Sequence, residues 1–501
     1  MSARVVVSGF LGGLLLAASF LIRGAWPLAF VAVAIFVLTL ERCRTGLGAL
    51  ISSATFGIAG YLGGFYWLQP ALVAFTDGRI PLSWAVWLGL GAWVSVRFVL
   101  IGIGFRALRG CGQSTVVSLV LPWVVIEWLY PSLFPFYLAN ALLDRVWLAQ
   151  LAALGGPTLV SAWGCAASAL AAEPVLRRWG TRGSSGRVVG ATLGAMGVAI
   201  LYGAWSVERV DERVATAPTI TVGIVQANVG VTSGRADRAL AHRRYLELSR
   251  RLESEGPVDL LVWPETAYDS PLPDRLPTSG ALVRGDLEAA LVFGSVVRNP
   301  QDRDTRFNSA LLVGNDGMIR TQTHKRVLIP FAEYTPLRSV LENWSGPVET
   351  GGHFEIGPAT DGLAYGDSKI AVPICYEAIR PGYVRALVFR TRPSLLVTLA
   401  NDGWFGDSHG PGLHLRLARL RAIEHQRYLV RATNTGISAV VDPVGRVLEE
   451  TPLNEVATLR SRVHVLQGPT PYGLVGDWPG YLSVVWLTWL LVAHSQRSTR
   501  R

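Results

Sequence analysis

The first 210 residues are dominated by long apolar stretches that short charged loops separate. Most of these stretches approach the roughly 20 residues that a helix needs to cross a bilayer. We therefore predict seven transmembrane helices in this region, and a further apolar stretch near the C-terminus predicts an eighth. The predicted spans are residues 5–22, 25–40, 47–68, 84–105, 114–130, 146–172, 187–206 and 479–494.

Residues 218–465 show a different pattern, in which short apolar runs alternate with amphipathic helical segments. This alternation predicts an α/β domain of sufficient length to bury a core of its own. The predicted strands are Thr219–Gln226, Leu260–Trp263, Leu291–Val297, Ser309–Val313, Ile370–Ile374, Leu395–Leu399 and Ile437–Val441, and the predicted helices are Asp237–Glu253 and Leu413–Tyr428. The domain prediction is therefore a membrane domain over 1–210, an α/β domain over 218–465 and a C-terminal transmembrane helix over 479–494.

The composition supports a membrane protein. Half of the residues are hydrophobic, only 16% are charged, and the mean hydropathy is +0.34, whereas a soluble domain carries about 25% charged residues. The net charge of +10 is concentrated in the most apolar region, where residues 1–210 hold 14 arginines against six acidic residues. A charge in that place is explained by membrane topology, so we predict a lipid bilayer and no nucleic acid as partner.

The arginines also predict an orientation. With the N-terminus in the cytoplasm, loops on the cytoplasmic side carry 12 arginines and loops on the opposite side carry four. Because positive residues favour the cytoplasmic side, this split predicts that residues 211–475 are extracytoplasmic.

Lysine and cysteine usage draws attention to single residues. Of the 46 basic residues, 44 are arginine, and the lysines are Lys325 and Lys369. A lysine kept against such a bias either serves a purpose that arginine cannot or is a chance survivor of coding bias. Cys375 is the lone cysteine of the polar region, and it is either a nucleophile or an inert buried thiol.

Three reactive residues follow or connect predicted strands. Glu265 follows the run 260–264, Lys325 follows the hairpin 309–320, and Cys375 directly follows the run 370–374. Reactive groups gather at the carboxyl ends of strands in α/β folds, and a carboxylate, a lysine and a thiol together can form a base, an electrostatic stabiliser and a nucleophile. Taken singly, Glu265 is more often an ordinary loop carboxylate, and Cys375 is more often an unreactive thiol in the core.

The joint pattern resembles the nitrilase (carbon–nitrogen hydrolase) superfamily, whose Glu–Lys–Cys triad lies on a four-layer αββα sandwich. With several spans before the α/β domain and one after it, nearly the whole chain of 501 residues resembles the apolipoprotein N-acyltransferase family of that superfamily. The matching segments are 263–267, 324–334, 373–377 and 401–408.

The resemblance implies a role for each matching residue. Glu265 would be the general base, Lys325 the oxyanion stabiliser and Cys375 the nucleophile. The implied supporting residues are Glu333, Tyr376 with its backbone amide as an oxyanion-hole donor, Glu377, and Asn308 in a structural role. Trp404 and Phe405 are implied as candidate substrate contacts, with plain anchoring at the membrane interface as the alternative.

The resemblance also implies the reaction. An acyl chain would pass from a glycerophospholipid through a Cys thioester to the α-amine of the diacylglyceryl-cysteine of an apolipoprotein, in the cell membrane and without metal or cofactor. One alternative is a membrane-tethered amidase that acts on a small amide. The other is a transporter or scaffold with an inactive outer domain.

Three features stand apart from this assignment. Many family members carry a tryptophan shortly after the first strand, but residues 226–235 contain none. Glu127 lies within a predicted span, where a carboxylate is costly and is often paired or functional. No role is predicted for Lys369.

Overall fold

The computed structural model describes residues 3–76, 78–181, 183–230, 235–273, 279–299, 305–330, 332–334 and 354–499. The chain forms two compact units: Met1–Gln69, Trp84–Arg209 and Leu474–Arg501 form the first, and Pro70–Ser83 and Val210–Gly473 form the second. The α-helices of the described residues are α1 Ala3–Leu21, α2 Pro27–Arg42, α3 Gly46–Gly64, α4 Leu68–Phe75, α5 Ile80–Gly110, α6 Thr115–Leu129, α7 Val146–Ala149, α8 Ala152–Arg178, α9 Gly186–Thr216, α10 Arg235–Ser254, α11 Ser279–Arg284, α12 Pro381–Thr391, α13 Gly410–His425, α14 Pro471–Val475 and α15 Trp478–Thr499.

A helix occupies each of the predicted spans. Within the described ranges, five helices (α1, α3, α5, α8 and α9) are long and apolar enough to cross a membrane. Helices α2 and α6 have 16 and 15 residues, which at about 1.5 Å per residue is shorter than a bilayer core of about 30 Å. Leu201 on α9 and Trp489 on α15 are 71% and 63% exposed, as expected of lipid-facing side chains. The chain is a membrane protein, while the number of eight spans stays a prediction.

Small residues let the helices of the first unit approach closely. Helix α1 packs against α2 and α3, and a Cβ added at Gly13 would lie 2.3 Å from the Phe56 carbonyl oxygen of α3. Glycine at such a position brings two backbones together, which is the usual basis of helix packing in membranes.

Glu127, on α6, is buried and makes several polar contacts through its Oε1 within the first unit. Its Oε1 accepts hydrogen bonds from the Leu138 backbone N–H at 2.7 Å and from Trp123 Nε1 at 2.9 Å, and it lies 3.5 Å from Arg97 Nη2. A buried carboxylate that is both paired and hydrogen-bonded joins α5, α6 and the segment after α6. These contacts give Glu127 a structural role in the first unit.

The second unit contains two β-sheets. Among its described residues, one sheet has the strand order β13-β1-β2-β4-β5-β6, with β3 paired to β4, and the other has the order β12-β11-β10-β9-β8-β7. The strands are β1 Thr219–Gln226, β2 Leu260–Val262, β3 Tyr268–Pro273, β4 Ala290–Arg298, β5 Arg306–Val313, β6 Ile319–His324, β7 Leu363–Tyr365, β8 Ser368–Ala371, β9 Leu395–Ala400, β10 Leu429–Thr433, β11 Ala439–Val441, β12 Val447–Glu450 and β13 Ala457–His464.

Three apolar layers hold the two sheets and their helices together. The layer between the sheets includes Val262 and Val292 from the first sheet and Val397 and Val430 from the second. The outer face of the first sheet packs against α10, and the outer face of the second sheet packs against α12 and α13. The unit is thus a four-layer αββα sandwich, which confirms the predicted fold class.

Two differences from the sequence prediction have physical causes. The sequence pattern does not predict strand β10, because Arg431 interrupts its apolar run, yet this arginine is fully buried. The strand before Cys375 ends at Ala371 rather than at Ile374, because Pro373 has no backbone N–H for the ladder. Cys375 instead begins a 3₁₀ turn, Cys375–Ile379.

Candidate active site

Sheet topology brings the first two predicted catalytic residues to the same edge. Strands β2 and β4 are parallel, β5 is antiparallel to β4, and β6 is antiparallel to β5. Strand β6 therefore runs in the same direction as β2, so the segments that follow these two strands lie at the same edge of the sheet. Glu265 follows β2 and Lys325 follows β6 directly.

Lys325 lies between two carboxylates. Its Nζ donates hydrogen bonds to Glu333 Oε1 at 2.7 Å and to Glu265 Oε1 at 3.2 Å, and the residue is 1% exposed. Burial alone lowers the pKa of the Lys325 ammonium, but the charges of Glu265 and Glu333 outweigh it and raise that pKa well above its ordinary value. Lys325 is therefore a fixed positive charge in the site.

Asn308, on β5, joins the same cluster. Its Nδ2 donates to Glu265 Oε1 at 2.7 Å and to Glu333 Oε1 at 3.5 Å, while its backbone carbonyl oxygen accepts from the Lys325 backbone N–H at 2.7 Å. Asn308 thus contacts both carboxylates and the lysine backbone, and the structural role that the resemblance implies for it stays a prediction.

Cys375 is buried and has an unusual backbone conformation. The residue is 9% exposed, and its φ of +51° lies in the left-handed region that side chains rarely adopt. Burial, followed by the charge of Glu265, raises the pKa of the Cys375 thiol well above its ordinary value, and Lys325 opposes this only in part. The resting residue is a thiol, so it needs a base to become a nucleophile.

Glu377 connects the cysteine turn to the lysine segment. Its Oε2 accepts from the Ile374 backbone N–H at 2.8 Å, and its Oε1 accepts from the backbone N–H groups of Arg326 at 2.6 Å and Val327 at 3.0 Å. Burial raises the pKa of the Glu377 carboxyl to about 7, although these backbone donors act in the opposite direction. Glu377 therefore ties the residues adjoining Lys325 to the residue before Cys375.

Gly294 on β4 makes room for the Glu265 segment. A Cβ at this position would lie 2.6 Å from the Glu265 Cα and 2.5 Å from the Thr266 backbone nitrogen. Only glycine permits this close approach, so Gly294 helps to place Glu265 against the sheet.

The remaining predicted residues surround the cluster or lie apart from it. Tyr376 is buried, with the Arg380 guanidinium 5.7 Å from its ring centroid. Trp404 is 42% exposed and stacks on Phe75 with ring centroids 5.0 Å apart, and the half-buried Phe405 meets the ring of His414 edge-on.

Two further sequence features can be placed only in part. The segment without the family tryptophan extends over residues 226–235, of which 231–234 lie outside the described residues. Lys369 is on β8, where it pairs with Ala364 of β7, and its carbonyl oxygen accepts from the Ser394 backbone N–H. No role for its side chain follows from these contacts.

Sequence reasoning missed a second polar group beside Cys375. Asp402, within the family-matching segment 401–408, contacts His414 of α13 and Arg431 of β10, and His414 Nε2 lies 3.3 Å from the Cys375 carbonyl oxygen. The available sequence signal was a charged residue, Arg431, inside an otherwise apolar strand.

Known proteins resemble the chain over both units. A family model described as Carbon-nitrogen hydrolase matches residues 221–464, and one described as Apolipoprotein N-acyltransferase N-terminal domain matches residues 12–170. Among solved structures, a nitrilase-superfamily protein from Saccharomyces cerevisiae covers 49% of this chain and 90% of its own, at 19% identity and a TM-score of 0.39.

Curated relatives match almost the full length. The apolipoprotein N-acyltransferase of Azotobacter vinelandii is 31% identical over 485 residues, which is 93% of this chain and 91% of the relative. That of Pseudomonas aeruginosa is 30% identical over 500 residues, covering 95% of this chain and 93% of the relative. The chain therefore belongs to the apolipoprotein N-acyltransferase family.

Proposed function

We propose that this protein transfers an acyl chain from a glycerophospholipid to the N-terminal α-amine of the diacylglyceryl-cysteine of an apolipoprotein. The observation that carries the proposal is the buried cluster of Glu265, Lys325 and Cys375, in a chain whose other unit consists of apolar helices. The curated relatives are named for this activity, and the chain matches them over nearly their whole length.

In the first half-reaction, Cys375 Sγ attacks the ester carbonyl of the phospholipid while Glu265 takes the thiol proton. The oxyanion that forms is stabilised by the Lys325 ammonium and by the Tyr376 backbone N–H. When the tetrahedral intermediate collapses, the ester C–O bond breaks, Glu265 returns its proton to the leaving oxygen, and a lysophospholipid departs. Cys375 is left as an acyl thioester.

In the second half-reaction, the α-amine of the apolipoprotein attacks the thioester carbonyl. Glu265 takes a proton from the amine and then gives it to the departing Cys375 thiolate, so the enzyme returns to its starting state. The same cation and amide stabilise this second oxyanion. Burial of the thioester limits its hydrolysis by water, because Cys375 is only 9% exposed.

The proposal includes a location. The distribution of arginines between the loops favours the cytoplasmic membrane with residues 211–475 on the extracytoplasmic side. Trp404 and Phe75 form a partly exposed aromatic pair in the same unit as the triad, which suits contact with an acyl chain.

The experiment uses the full-length protein in detergent with a phospholipid, and then with a diacylated lipopeptide. Intact mass spectrometry should show one added acyl group in the wild type and none in Cys375→Ala. Cys111→Ala is the matched control, because Cys111 is another free cysteine outside the cluster. An acyl adduct that survives in Cys375→Ala would refute the proposal. Release of ammonia from simple amides without lipopeptide acylation would instead favour an amidase.

A further inference from the structure

A chain of buried polar groups runs from β10 to the backbone of Cys375. Arg431 Nη2 donates to Asp402 Oδ2 at 2.7 Å, and Asp402 Oδ1 lies 2.7 Å from His414 Nδ1. The other ring nitrogen, His414 Nε2, lies 3.3 Å from the Cys375 carbonyl oxygen. Asp402 and Arg431 are at most 1% exposed and His414 is 6% exposed, so water does not compete for these contacts.

The contacts of His414 indicate which ring nitrogen anchors it and which one reaches Cys375. Asp402 is a carboxylate, because Arg431 and His414 lower the pKa of its carboxyl to about 2 against the opposing effect of burial. A carboxylate oxygen and a carbonyl oxygen only accept hydrogen bonds. His414 Nδ1 lies 2.7 Å from Asp402 Oδ1 and 3.1 Å from Arg431 Nη2, so this nitrogen anchors the ring to both groups. His414 Nε2 faces the Cys375 carbonyl oxygen, and that contact is a hydrogen bond when Nε2 carries a proton.

The carbonyl that His414 reaches belongs to a strained residue. Cys375 has a φ of +51°, a conformation that persists only where the surroundings impose it. On the side before Cys375, Glu377 accepts from the Ile374 backbone N–H and so holds the entry to the turn. On the other side, His414 holds the Cys375 carbonyl itself. The nucleophile is therefore restrained from both directions.

The position of Asp402 is also restrained by close packing. Gly436 lies against it so closely that a Cβ there would be 2.4 Å from Asp402 Oδ2. Its charge also has a cost, since the Asp402 carboxylate is one of the groups that raise the pKa of the Cys375 thiol. The Arg431 guanidinium, which pairs with Asp402, offsets that charge next to the nucleophile.

We propose that His414 is a positioning residue, whose ring is anchored by Asp402 and Arg431 and whose Nε2–H holds the Cys375 carbonyl and orients the thiol for attack. This inference rests on the proposed function, because it assigns His414 to the acylation step at Cys375. It concerns a residue that acts through Cys375 and does not itself touch the substrate.

Two substitutions at position 414 separate the two hydrogen bonds. In His414→Gln the amide nitrogen falls near the place of Nε2 and can still donate to the Cys375 carbonyl. In His414→Asn it falls near the place of Nδ1 and can donate only to Asp402. His425→Gln is the matched control, because His425 is a buried histidine at the far end of the same helix, beside the ring of Tyr472.

The measurement is the burst of lysophospholipid release from a fluorescent phospholipid by the full-length protein, together with the acyl-enzyme mass. Loss of one restraining hydrogen bond should slow acylation about tenfold in His414→Asn, with KM for the phospholipid unchanged. His414→Gln should stay within about threefold of the wild type, and His425→Gln should match the wild type. Equal losses in the Gln and Asn variants, or a change in KM alone, would overturn the proposal.

A second variant covers a failure to fold. If His414→Asn does not elute as folded protein, Asp402→Asn tests the other end of the chain, because it keeps the shape and an acceptor but removes the charge that anchors the His414 ring. Acylation should again fall about tenfold, and an unchanged rate would overturn the proposal. If the wild type forms no acyl-enzyme at all, the proposed function has failed instead, so the two failures are distinguishable.

Discussion

Replacement of Lys325 by methionine tests the assignment of the site most directly. Methionine fills a similar volume without the charge, so the change removes the ammonium that lies 2.7 Å from Glu333 and 3.2 Å from Glu265. We expect two separate consequences. One is the loss of the cation that stabilises the oxyanion. The other is repulsion between the buried carboxylates of Glu265 and Glu333, which no longer share a cation.

The structure allows both effects to be sized. Loss of one oxyanion donor typically lowers kcat by about 10² to 10³, or roughly 2.7–4 kcal/mol. Removal of one partner of a buried ion pair costs about 3–5 kcal/mol of stability, and the 1% exposure of Lys325 places it in that class. The double variant Lys325→Met, Glu333→Gln removes one positive and one negative charge, so it should recover most of the lost stability but none of the lost rate.

The assay compares the wild type, the single variant and the double variant for acyl-enzyme formation and for thermal unfolding in detergent. Lys325→Arg completes the set, because it keeps the charge but places a larger, planar group in a closed space. If Lys325→Met acylates within tenfold of the wild type, Lys325 is not the oxyanion stabiliser. If the double variant regains both stability and rate, the lysine serves only to balance charge. Full activity of Lys325→Arg would mean that any cation suffices.

Two further predictions follow from the same unit. In the folded protein the pKa of the Glu377 carboxyl is raised from 4.5 to about 7. Between these two pH values the folded state keeps a proton that the unfolded state has lost, so the free energy of unfolding should fall by about 3 kcal/mol as the pH rises from the lower value to the higher. Glu377→Gln should remove this decline in stability, measured by hydrogen exchange at the Arg326 and Val327 backbone amides as a function of pH. A pH profile of the variant parallel to that of the wild type would contradict the assignment. Trp404→Ala should raise KM for the phospholipid about tenfold through lost apolar contact, with kcat unchanged. Phe389 is another exposed aromatic residue, and Phe389→Ala should leave KM and kcat unchanged. A loss in kcat alone in Trp404→Ala would argue against a binding role.

The sequence by itself determined the classes of local structure and the reactive residues. Apolar length indicated the membrane helices, the alternation of short runs indicated the α/β unit, and motif resemblance singled out Glu265, Lys325 and Cys375. These features are visible because the period of a helix or strand, and the residues of a motif, are recorded within a few consecutive positions.

The tertiary structure decided how the reactive groups are held. The contacts of Glu377 with the Arg326 backbone and of His414 with the Cys375 carbonyl join residues 51 and 39 positions apart. Whether such groups meet depends on strand order and on the packing of two sheets, which no local pattern records. The burial that makes the Cys375 thiol dependent on a base, and that lets Arg431 lie inside a strand, is likewise a property of the packed layers.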